Sequence, residues 1–86
     1  MYSFEIKDEL EKSLRKLAKR DNQLYEAVTK KILQIAENPV IGKPLRNVLK
    51  GKKRVHIGHF VLIFSVDDKE RKVTFLEFDH HDNVYK

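Results

Sequence analysis

Arg54 and His56 stand two positions apart in a run, Lys53 to Ile57, that alternates polar and apolar residues. On an extended strand such neighbours share one face, about 7 Å apart. A guanidinium stays protonated and offers paired planar donors that match phosphate oxygens. An imidazole titrates near neutral pH and can give or take a proton. Their surroundings carry one sign of charge. No Asp or Glu occurs between Glu37 and Asp67, while Lys43, Arg46, Lys50, Lys52 and Lys53 precede Arg54 in that window, and His59 follows His56. The whole chain of 86 residues has 18 Lys plus Arg against 13 Asp plus Glu, a net charge of +5. An acid-free block of this kind attracts a polyanion and repels a cationic surface.

Other reactive side chains form weaker patterns. Asp79, His80, His81 and Asp82 are ligand types in a row. Adjacent strand residues diverge to opposite faces, so no metal site is expected there, and at most one of the two histidines can join His56. With no cysteine in the chain, disulfides and thiolate metal sites are excluded. Phe60, Phe64, Phe75 and Phe78 read as core rather than as a base-stacking platform.

The elements that must position these residues follow from hydrophobic period. Tyr2, Phe4 and Ile6 alternate with polar residues, which predicts a short strand. Leu10, Leu14, Leu17 and Ala18 recur at helical spacing, and so do Leu24, Val28, Ile32, Leu33, Ile35 and Ala36. Asp21-Asn22 separates the two helices and Asn38-Pro39 ends the second. Residues 39–51 read as an irregular connection. From Lys52 the pattern turns to β: Lys53 to Ile57, a turn at Gly58-His59, the apolar run Phe60 to Phe64, a polar turn at 67–71, and Val73 to Phe78. A polar tail follows from Asp79. The order β-α-α-β-β-β predicts an α+β domain over residues 1–86, its helical hairpin packed on one face of a mainly antiparallel four-stranded sheet. The start has no apolar run of signal-peptide length, and Phe60 to Phe64 is too short to span a bilayer, so a cytoplasmic protein without membrane contact is expected.

The second half carries a resemblance. Asn38-Pro39-Val40-Ile41-Gly42-Lys43-Pro44-Leu45-Arg46 is followed by Leu49-Lys50-Gly51 and Arg54-Val55-His56-Ile57-Gly58-His59-Phe60. Leu62-Ile63-Phe64 and the ending His80-His81-Asp82-Asn83-Val84-Tyr85 complete it. In order and spacing these segments resemble the RelE/ParE superfamily of type II toxin–antitoxin toxins, and the preceding strand and helices fit as well. Where the family usually has arginine, this chain has Val61 after the glycine turn and His81 in the closing motif.

The resemblance implies a RelE-like, ribosome-dependent endoribonuclease that inhibits translation and needs no cofactor. In that reaction the ribose 2′-hydroxyl attacks the adjacent phosphate. A base, an acid and a cation for the phosphorane are required. Arg54 would supply the cation, His56 and His81 the proton transfers, and Tyr85 would stack on a base or orient the 2′-hydroxyl. Arg46, Lys50, Lys52 and Lys53 would grip the RNA backbone. Implied partners are the ribosome and mRNA, a RelB-like antitoxin, and operator DNA bound through the toxin–antitoxin complex. The same fold also hosts ParE-like inhibitors of DNA gyrase, and an inert antitoxin-binding relative is the remaining alternative.

Overall fold

The apolar stripes of the two helices and the alternating strands meet as the periodicities require. The computed structural model of the chain describes residues 1–44 and 51–84. Strand β1 (Ser3–Ile6) leads into helix α1 (Asp8–Arg20), which buries Leu10, Leu14 and Leu17. Its first turn carries Asp8, Glu9 and Glu11 and its last turn Lys19 and Arg20, which complements the helix dipole at both ends. A single residue, Asp21, joins it to helix α2 (Asn22–Glu37). The Asp21 backbone N–H closes α1 on the Leu17 carbonyl, and its carboxylate accepts the Leu24 N–H at 3.1 Å, capping α2. Helix α2 buries Val28, Ile32, Ile35 and Ala36. Leu33, expected on that stripe, is 44% exposed.

Beyond α2 the chain forms a two-residue strand, β2 (Lys43–Pro44), then β3 (Lys53–Ile57), β4 (Phe60–Asp67) and β5 (Lys72–His80). The sheet order is β1-β5-β4-β3-β2. All pairings are antiparallel except that of β1 with β5. The four expected strands are therefore present, with the short β2 added at one edge. Gly42 makes that addition possible. Its φ is +99°, and a Cβ there would lie 2.9 Å from both the Arg54 carbonyl oxygen and the Phe64 ring. The expected polar tail is corrected in part. Asp79 and His80 extend β5, and residues His81–Val84 form a helical turn, α3.

The main core lies between the helices and one sheet face, built around Leu62, Phe64, Val73 and Phe75. The opposite face holds a smaller apolar cluster: Val61 and Ile63, with Leu76 and Val84 packed against them. An irregularity in β5 decides what else reaches that face. Ile63 pairs with Glu77 and Phe64 with Phe75, so Leu76 is left as the extra residue of a bulge. Phe75 and Phe78 both pack toward the helices, although three residues apart. Strict alternation would forbid this. The bulge permits it and sets Leu76 and Glu77 side by side on the open face.

Candidate active site

The open sheet face is assembled from β3, β4 and β5. Pairing of Arg54 with Ile63, and of His56 with Val61, places both polar side chains beside the apolar cluster. Arg54 is half-buried and His56 exposed. Val61 is fully buried, so the position where the family usually carries arginine is here part of the floor.

Helix α3 brings the third candidate. His81 begins this turn, and its ring stacks on that of His56, with centroids 5.8 Å apart and planes inclined by 27°. Hydrogen bonds among the described residues help hold it there. The His81 N–H donates to the His59 carbonyl at 2.9 Å, tying α3 to the β3–β4 turn. The Asp79 carboxylate accepts the His80 N–H at 2.7 Å and the Asn83 side-chain amide at 3.1 Å. Asp79 and Asn83 thus brace the start of α3. Their spacing of four, around a residue able to cap a turn, was the available sequence signal.

His80, the last residue of β5, goes the other way. Its ring stacks on His59 at 6.2 Å and meets Phe60 edge-on at 5.5 Å. The Asp82 carboxylate stands 3.6 Å from His80 Nδ1 and 3.7 Å from His81 Nδ1. His80 Nδ1 also lies 3.2 Å from the Asp82 N–H, which it can accept only when unprotonated.

The lysines divide between the faces. Lys52 borders the open face, near Ile63, Leu76 and Glu77. Lys53 points to the helix side, where its ammonium donates to the Pro39 carbonyl at 2.7 Å and the Val40 carbonyl at 3.3 Å. It ties β3 to the segment that follows α2. Arg46, Lys50 and Tyr85 lie outside the described residues. Among the described residues no three ligand-type side chains converge on a metal position. No described helix is long and apolar enough to cross a membrane.

The acid-free window does not yield an acid-free surface. Sheet assembly brings Glu5 from β1 and Glu77 from β5 onto the same face as Lys52 and Arg54. Glu77 is the residue most easily missed in sequence, because only the bulge turns it outward. The one signal for it was the three-residue spacing of Phe75 and Phe78.

An α+β sheet with a helical hairpin on one face thus carries Arg54, His56 and His81 together on the other. The family model described as ParE toxin of type II toxin–antitoxin systems matches residues 4–85. The chain belongs to this RelE/ParE superfamily. It is 49% identical over 87 residues to a protein named as toxin RelE4 from Methanocaldococcus jannaschii, covering 100% of this chain and 93% of that one. Among solved structures, the RelBE2 toxin–antitoxin complex of Mycobacterium tuberculosis contains a chain with a TM-score of 0.78 and 28% identity, covering 92% of this chain and 96% of that one. The isolated RelE toxin of E. coli has a TM-score of 0.77 at 21% identity, covering 93% and 84%, a likeness of fold.

Proposed function

We propose that this toxin is a ribosome-dependent endoribonuclease that cuts mRNA and inhibits translation. The observation that carries the reading is the stack of His56 and His81 beside Arg54 on the open face. Cleavage through the 2′-hydroxyl needs two proton-transfer groups within reach of one phosphate, one for the attacking oxygen and one for the departing oxygen. Two neighbouring imidazoles meet that need, and the guanidinium answers the charge that develops on the phosphorane. Tyr85 would stack on a base or orient the 2′-hydroxyl. Lys52, with Arg46 and Lys50, would hold the RNA backbone.

A RelB-like antitoxin would silence the toxin by covering this face, and the pair would bind operator DNA. The solved relatives support a partner of this kind, since the M. tuberculosis chain comes from a toxin–antitoxin complex. Purified toxin added to translating ribosomes should cut a reporter mRNA and leave a cyclic phosphate with a free 5′-hydroxyl. Arg54→Ala should slow cutting by about a hundredfold or more, in line with loss of one charge-stabilising donor. Intact mRNA with natively folded toxin would overturn the proposal.

A second reading is inhibition of DNA gyrase. It is favoured by the match to the ParE toxin model and by the burial of Val61 where the family usually presents arginine. A gyrase supercoiling assay separates the two, and unaffected supercoiling excludes this one.

A further inference from the structure

The open face carries a depression of about 690 Å³ next to the Arg54 row, and the mechanism above uses none of its acidic wall. Its floor is Ile63 and Leu76, and its walls are the carboxylates of Glu5, Asp8, Glu9 and Glu77 with the ammonium groups of Lys7 and Lys52. Arg54, Ile63 and Glu77 lie in one line across β3, β4 and β5. At about 4.8 Å per strand, Glu77 stands roughly 10 Å from Arg54 along the backbone, the distance from a phosphate to the far edge of its own or the next base.

Glu77 arrives there through the bulge, and bulges at functional sites commonly re-aim a side chain. Of these carboxylates, Glu5 and Glu77, the two carried by strands, differ in their engagement. Glu5 pairs with Lys72 at 3.4 Å, whereas Glu77 makes no ion pair among the described residues. An apolar floor, a cation for the backbone and an unengaged acceptor at the far wall are what a single unstacked nucleobase requires. Unpaired bases in RNA are read by contact with their faces and by hydrogen bonds to their edges.

We infer that the depression is a base-reading subsite in which Glu77 accepts hydrogen bonds from the Watson–Crick edge of one RNA base. The inference rests on RNA being the ligand of this face, and it adds a specificity-determining residue to that reading. Carboxylate oxygens only accept. Guanine offers two adjacent N–H donors that a carboxylate can take in parallel, and cytosine and adenine each offer an amino group. Uracil offers one N–H between two carbonyl oxygens, which repel the carboxylate. The expected ranking is guanine first, cytosine and adenine next, uracil last. Lys52 and Arg54 hold the flanking phosphates.

The test uses hexanucleotides with 2′-O-methyl riboses, which cannot be cut, carrying G, A, C or U in turn at each position. Binding to the full chain is followed by fluorescence anisotropy, with parallel cleavage assays on ribosomes. At one position the toxin should bind the G-bearing oligomer about tenfold more tightly than the U-bearing one, within the usual range for a bidentate base contact. Glu77→Gln, whose amide can also donate to uracil, should erase that difference. Glu70→Gln, on an exposed turn, should preserve it. No base preference at any position, or a preference unchanged in Glu77→Gln, overturns the inference even if mRNA is cut. A preference lost in Glu77→Gln without cleavage upholds the subsite and sinks the nuclease reading instead.

Discussion

At the scale of single residues, polar contacts set what each side chain is able to do. Lys53 and Lys52 are neighbours of the same type, yet one donates to two carbonyls on the helix side and the other borders the open face. Tyr2 shows a similar commitment at the far end of the sheet. Its hydroxyl donates to Asp68 at 2.9 Å, and this bond chiefly raises its pKa above the usual value of 10.0. The Arg71 guanidinium, 4.9 Å above the ring, opposes the rise more weakly. The folded state therefore favours the protonated phenol. Its contribution is complete below the unfolded phenol's pKa and is lost as pH rises through the higher folded value. Thermal unfolding at pH 8 and pH 11 should show wild-type toxin losing its advantage over Tyr2→Phe at the higher pH. The comparison cancels Tyr25, Tyr85 and the lysines, which both proteins share. A gap of equal size at the two pH values would count against this account.

At the scale of elements, small irregularities govern the site more than the regular spans do. Gly42 lets β2 approach β3 and Phe64 closely, and its φ of +99° is one that side chains rarely adopt. Gly42→Ala should cost about 1–3 kcal/mol of stability, measured by urea denaturation. A loss under about 0.5 kcal/mol would mean that this approach is not tight. Alternation placed Arg54 and His56 on one face and Val55 and Ile57 on the other directly from the sequence. Helical spacing likewise exposed the buried faces of α1 and α2, apart from Leu33, which lies outside the buried face of α2. Other features were not legible. Alternation says which face a residue takes but not which strand lies beside it, so the parallel pairing of β1 with β5 was hidden. The bulge at Leu76 was nearly hidden too, because a run of β-formers does not announce an extra residue and only the spacing of Phe75 and Phe78 hinted at it. The turn at His81–Val84 depends on the local Asp79–Asn83 bond and on the His59 carbonyl, and only tertiary structure brings the latter into place. For that reason the sequence identified His81 by resemblance, and its stacking on His56 emerged only with the fold.

At the scale of the whole molecule, charge is segregated along the chain but mixed on the open face. The basic window from residues 38 to 66 supplies Lys52 and Arg54, while the flanking strands supply Glu5 and Glu77. Net attraction to a polyanion or an acidic partner still follows from the charge of +5. Binding of a RelB-like antitoxin should therefore weaken as salt rises from 0.05 to about 0.5 M, over which the screening length shortens severalfold. Calorimetric titration at both salts checks this, and equal affinities would point to an apolar interface. The most direct test of the central claim is the end-group chemistry of mRNA exposed to toxin on translating ribosomes. The wild type should leave cyclic phosphate ends, with cutting reduced by about a hundredfold or more in both Arg54→Ala and His56→Ala. Undiminished cutting by those two folded variants would contradict it.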